Sequence, residues 1–152
     1  MKVKNVYETS KNIENIDIVV SDKAKDFYKI LLLCDTVAKS RQLIANKLCA
    51  ELCKCLNIKP VEVKVCNVPQ DSKIVNGVCV SRTKGKYIPS QNMMVIFNKT
   101  AVRKKIVAIK DFSDTLLHVF VHHLDYKYYN FGDSPHTSGF FKRISCLKEK
   151  IK

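Results

Sequence analysis

All four histidines of this 152-residue chain fall between His118 and His136. Two of them sit four apart in Leu116-Leu117-His118-Val119-Phe120-Val121-His122-His123-Leu124-Asp125-Tyr126. Residues at i and i+4 share one face of a helix, separated by about 40° at 100° per residue. That spacing lets two imidazoles grip one ion, so the segment is predicted to be helical and to present a metal site. A third ligand must then come from elsewhere. His136 is the natural supplier, beyond the Gly- and Pro-punctuated loop Asn130-Phe131-Gly132-Asp133-Ser134-Pro135. Three neutral nitrogens suit zinc over magnesium or calcium, and a three-ligand set leaves the fourth position open.

The chemistry available around such a site depends on the neighbours. In the H-E-x-x-H form of the motif the residue after the first histidine is a glutamate that serves as general base. Here that position is Val119. A positioned base contributes about 10²–10⁴-fold to a hydrolytic rate, so its replacement by valine leaves the catalytic residue unknown. His123, one turn beyond Val119, is the candidate substitute. Asp125 lies on the metal face, where it can orient a ligand imidazole. Asp133 can do the same for His136 or cap the last helix. Tyr126, Tyr128 and Tyr129 either stabilise an oxyanion or pack the helix end.

Elsewhere the chain alternates helix and strand signals without a repeat or linker, which predicts one α+β domain over 1–152. Residues 1–20 read as a loosely packed lead-in or as a short strand at Ile16 to Val20. Ser21-Asp22 is a helix N-cap signal. Apolar residues from Ala24 to Leu56 recur at helical spacing, interrupted near Asp35 to Ser40 and stopped by Lys59-Pro60. Val61 to Val65 alternates as a half-buried strand; Gly77 to Ser81 is a second candidate, and Met93 to Phe97 a third. Gly85-Lys86 reads as a turn into Tyr87-Ile88-Pro89. These strands are expected to form a small antiparallel sheet, with a short helix at Thr100 to Ala108. The histidine helix should start at Ser113 as N-cap, with Asp114 in its first turn. A final helix begins at Phe140 and Phe141.

Composition narrows the setting. A hydrophobic content of 46% with 27% charged residues is that of a globular domain with a real core. No apolar run approaches the ~18 residues of a membrane span, and Met1 to Asn5 lacks an apolar signal core. Seven cysteines argue against a disulfide framework and for a reducing cytoplasm. Cys49 and Cys53 are four apart on a helix and read either as a thiol metal pair or as small buried hydrophobes. The net charge of +13 suits acidic partners such as nucleic acid. Yet 23 of the 27 basic residues are lysines spread along the whole chain, the pattern of a compositional bias rather than a localised binding face.

From Phe112 to Arg143 the chain resembles small bacterial SprT-like metallopeptidases, whose pattern is close to T-L-L-H-E-F-x-H-H-L-D-Y followed by D-S-x-H-T-x-G-F-Y. Here the same stretch reads Thr115-Leu116-Leu117-His118-Val119-Phe120-Val121-His122-His123-Leu124-Asp125-Tyr126 and then Asp133-Ser134-Pro135-His136-Thr137-Ser138-Gly139-Phe140-Phe141. The resemblance implies a zincin-like fold with N-terminal helices, a small sheet, a metal-binding helix and a C-terminal helix. It also implies zinc held by His118, His122 and His136, a protein or peptide substrate, and glutamate at position 119. Three functions follow as expectations. The first is a zinc-binding homologue with hydrolysis lost or strongly weakened; the second is an active peptidase using another base; the third is a basic, non-enzymatic module that associates with nucleic acid.

Overall fold

The computed structural model describes residues 5–152; Met1 to Lys4, the start of the expected lead-in, lie outside the described residues. Asn5 caps a short helix α1 (Val6–Asn12) through its side-chain oxygen, which accepts from the Glu8 amide. The chain then runs extended, and its alternation buries Ile16, Ile18 and Val20. That segment pairs with no strand. Lys150 Nζ from the last helix donates to the carbonyls of Ile16 and Ile18 instead. The expected strand at Ile16 to Val20 is therefore absent, and the lead-in packs into the core rather than lying loosely on it.

Ser21 caps α2 (Asp22–Leu32) by accepting from the Ala24 amide, as its sequence position predicts. The long apolar pattern breaks at 33–37, where Asp35 Oδ1 accepts from the Val37 amide and turns the chain into α3 (Ala38–Leu56). Asn57 then takes a left-handed φ of 52° and ends α3 before Pro60 is reached. Cys49 and Cys53 face the core from α3, both buried, and burial pushes their thiols upward, Cys53 to about 11. They are core hydrophobes, as free cysteines commonly are.

Five strands follow: β1 (Glu62–Pro69), β2 (Asp71–Val75), β3 (Val78–Thr83), β4 (Gly85–Ile88) and β5 (Met93–Lys99). The main sheet has the order β1-β5-β4, with β5 parallel to β1 and antiparallel to β4. The expectation of an antiparallel sheet is corrected here. The β2–β3 hairpin and β4 carry the chain back between β1 and β5, so those two strands run the same way. β5 is the centre of the sheet, and its run Met94 to Phe97 is buried throughout, as a strand covered on both faces requires. The outer edge of β1 is closed by α3: Asn46 bonds both the Val63 amide and carbonyl, and Gln42 accepts from Val65.

Two strands escaped the sequence reading. Gly85-Lys86 is not a turn but the start of β4, because Gly85 pairs with Ile96 on the central strand. β2 pairs with β3 through Asn76 and Gly77, both at positive φ (52° and 76°), the two-residue turn that Asn-Gly favours. The expected helix at Thr100 to Ala108 is also absent. Thr100 accepts through its hydroxyl and donates through its amide to Lys105, Lys104 turns left-handed, and Ile106 bridges back to Lys99. A threonine that bonds its local backbone competes with helix.

The histidine helix α4 (Ile109–Lys127) begins before the expected cap. Ser113 lies inside it, its hydroxyl satisfied by the Lys110 carbonyl, and the first-turn carboxylate is Asp111. Asp114 pairs instead with Lys148 at 2.7 Å. The last helix, α5 (Ser138–Ile151), is capped by Thr137, whose hydroxyl accepts from the Phe140 amide. The result is an α+β fold in which α4 crosses β4 and β5 on one side and packs on α5 and α2 on the other. Full burial of apolar side chains such as Leu116, Phe120 and Leu124 stabilises α4 by about 1.5–3 kcal/mol each. Among the described residues no helix is long and apolar enough to cross a membrane.

Candidate metal centre

His118 and His122 leave α4 on its one partly open face, and the 130–137 loop brings His136 over them. The ligand nitrogens of the three lie within 4.8 Å of one another, and the trio can hold one metal ion. His122 Nε2 and His136 Nε2 are 3.0 Å apart. Phe140, fully buried, packs its ring against all three imidazoles, with centroids 5.1 Å from His118, 4.6 Å from His122 and 5.0 Å from His136. The floor of the site is therefore aromatic, and its mouth is open at the exposed His136.

The electrostatics favour neutral ligands. Burial first, then the neighbouring His136 and Lys84, lower His118 to about 4. Burial first, then His118 and His136, lower His122 to about 3. Imidazoles must be unprotonated to bind a metal, and these two meet that condition throughout the neutral range.

Behind His122 the sequence reading is refined. Asp125 is fully buried, and its hydrogen bonds go to Ser134 and Arg143 rather than to an imidazole. Its Oδ2 accepts from the Ser134 hydroxyl at 2.8 Å, and the Ser134 oxygen lies 2.8 Å from His122 Nδ1. The same Oδ2 accepts from Arg143 Nη2 at 2.9 Å, in an ion pair with both side chains wholly buried. Burial raises the Asp125 carboxyl above its ordinary range, with Arg143 and Ser134 pulling the other way. Ser134 and Arg143 were not singled out from the sequence. The only signal for the first was its place in the Asp133-Ser134-Pro135-His136-Thr137 stretch.

Asp133 takes neither role expected of it. It is exposed at the rim of a cleft of about 320 Å³ that it shares with His118, His122, Tyr126, Ser134 and His136. No hydrogen bond joins it to His136, and the cap of α5 is Thr137. His123 is equally distant from the metal chemistry. It is fully buried, its Nε2 donates to the Lys59 carbonyl at 2.7 Å, and its Nδ1 accepts from the Tyr87 hydroxyl at 2.8 Å. With both nitrogens engaged it ties α4 to the sheet and has no lone pair left for water. Tyr129 packs on Phe131 and bonds the Asn15 carbonyl, and Tyr128 stacks edge-on against Tyr129. Of these three tyrosines Tyr126 lines the cleft, beside Tyr87.

On its other side the site opens into a cleft of about 460 Å³. Thr83, Lys84 and Gly85 form one wall, Asp111 and Thr115 the other, with His118, Val119 and His136 at its end. Val119 is 2% exposed, so a methyl surface stands beside His118 where a base would face the cleft. No protein-family model matches this chain, and neither a curated protein nor a solved structure does.

Proposed function

We propose that the chain is a zinc-binding, SprT-like metallopeptidase homologue of zincin-like fold whose hydrolytic activity is lost or strongly weakened. The observation that carries this reading is a contrast within one site. Three imidazoles converge over the Phe140 ring, while the position that needs a carboxylate holds Val119. A four-coordinate zinc with bonds of about 2.0–2.1 Å spaces its ligand nitrogens about 3.3 Å apart. The 3.0 Å between His122 and His136 is close to that spacing, and an all-nitrogen donor set suits zinc.

Zinc bound here would polarise a carbonyl and acidify water. Val119 can neither take the proton from that water nor return one to a leaving amine. His123 offers no replacement, since both of its nitrogens are committed. The cleft between the β3–β4 junction and α4 would be where an extended protein or peptide segment lies.

Metal analysis of the purified protein, beside a casein-type proteolysis assay, tests this directly. The expected result is about one zinc per chain, a strong loss of zinc in His136→Ala, and little or no cleavage by the wild type. Full metal retention by His136→Ala would remove that residue from the site. Efficient cleavage by the wild type would overturn the weakened-enzyme reading.

A further inference from the structure

The side of His122 that faces away from the other imidazoles meets a buried chain of polar side chains. Ser134 has one proton to give. Asp125 Oδ2 already receives an Arg143 N–H, and arginine can only donate, so this oxygen acts as an acceptor. The Ser134 hydroxyl donates to it at 2.8 Å. The oxygen of Ser134 must then accept from His122 Nδ1, 2.8 Å away, which places the imidazole proton on Nδ1. Nε2 is left with its lone pair, and Nε2 is the atom that faces His136.

The anchor of this chain is extensive, with Asp125 Oδ1 and Arg143 Nε its unpartnered buried atoms. Arg143 Nη1 donates to the carbonyls of Ser10 and Ile13 at 2.7 and 2.6 Å, and Nη2 donates to Ser10 Oγ and Asp125 Oδ2 at 3.0 and 2.9 Å. Ser10 Oγ in turn lies 2.9 Å from Thr137 Oγ1. Ser134 and Thr137, on either side of His136, are thus both held from beneath. α1 can come this close because residue 139 is glycine: an added Cβ would overlap the carbonyl oxygens of Ser10, Lys11 and Ile13. Such a network costs desolvation and fixes geometry.

We propose that Ser134 is a positioning residue which, held by Asp125 and Arg143, fixes His122 as the Nδ1–H tautomer and so presents Nε2 to the ion. The inference rests on the metal site proposed above, but its first observable does not. In the metal-free protein, long-range ¹H–¹⁵N correlation spectra should show His122 as the Nδ1–H form, the opposite of the tautomer that free histidine favours. Ser134→Ala should lose that signature and weaken zinc binding about 10- to 100-fold in a chelator competition, the usual effect of removing a ligand's outer partner. Ser134→Thr, which restores a hydroxyl, should recover both.

An Nε2–H tautomer at His122 in the wild type would overturn the proposal, and that spectrum needs no variant to fold. So would a folded Ser134→Ala with unchanged tautomer and unchanged affinity. A wild type that shows Nδ1–H yet binds no zinc would instead overturn the metal reading and leave the tautomer relay intact.

Discussion

The two sides of the histidine trio are built by different rules. Behind His122, Ser134, Asp125 and Arg143 form a buried polar chain that continues to Ser10 and Thr137 and draws in four separate segments. In front of His118, Val119 offers methyl groups to an open cleft; the carboxylates that line it, Asp111 and Asp114, come from earlier turns of α4, and Asp114 is paired with Lys148. Buried polar networks are expensive unless satisfied; each residue here has at least one bond, while Asp125 Oδ1 and Arg143 Nε have none. On the proposed reading, the molecule holds the imidazoles without a group at position 119 to move a proton, so that a metal-binding cradle and a hydrolytic centre are separable and differ there.

Val119→Glu should have the largest effect, because it supplies what the open side lacks. A positioned base is worth about 10²–10⁴ in rate, so peptidase activity on an unfolded protein should rise by that order while zinc content stays unchanged. Glutamate is a better helix former than β-branched valine, and the cleft gives its carboxylate somewhere to go. If both forms bind zinc and neither cleaves, the loss extends past position 119 into the substrate cleft.

Asp125→Ala attacks the supported side. It strands the Arg143 guanidinium, wholly buried, without its counter-charge. Breaking one half of a buried pair costs about 3–5 kcal/mol, to be read from denaturant unfolding. A loss below about 1 kcal/mol would show that Arg143 is held by the Ser10 and Ile13 carbonyls alone.

How far was this legible in the sequence? The trio was, because H-x-x-x-H fixes a helical face locally and the intervening loop is marked by Gly132 and Pro135. The split between α2 and α3, β1, β5 and α5 follow from local caps and periodicity in the same way. The β2–β3 hairpin was also readable, since Asn76-Gly77 carries its turn; only the polar flank of Asp71 to Lys73 hid it. β4 was not readable. Its four residues become a strand only by pairing with the buried β5, and a parallel β1–β5 contact leaves no mark on either segment. Ser134 and Arg143 were invisible for a related reason. A serine's proton has a direction only once a carboxylate from α4 and a guanidinium from α5 have met, and that meeting depends on α1. Asp125 was assigned to the right place with the wrong contact, one hydroxyl short of the imidazole.

Acid should loosen the metal-free protein from the histidine side first. An unfolded imidazole titrates near about 6.5, while burial and mutual repulsion hold His118 at about 4 and His122 at about 3 when folded. Both folded values are depressed. The stability they contribute is present above about pH 6.5 and is lost as pH falls toward the folded values, by at most about 1.4 kcal/mol per pH unit for each imidazole. Thermal midpoints measured without metal should therefore fall from pH 6.5 to 4, and zinc at pH 7 should raise them. A flat profile over that range would mean that the imidazoles are not desolvated in solution.

The smallest effect belongs to the aspartate that resembles Asp125 most in sequence and least in setting. Asp125 lies in the last turns of α4 and Asp133 in the loop that follows, and both were candidates to orient a ligand. Asp133, however, is exposed and makes no hydrogen bond to His136, although it shares the outer cleft with the trio. An exposed carboxylate acts on its surroundings through water, and surface substitutions of this kind change stability by about 0.5 kcal/mol or less. Asp133→Asn should accordingly leave the unfolding midpoint in place and change zinc affinity by no more than about twofold, the equivalent of that energy. The comparison with Asp125 then becomes quantitative, because one network holds the site and proximity to the cleft alone does not. A tenfold fall in zinc affinity on Asp133→Asn, with stability unchanged, would break it. Asp133 would then be reaching the ion itself as a fourth ligand, and the open coordination position assigned to this site would be filled by the protein.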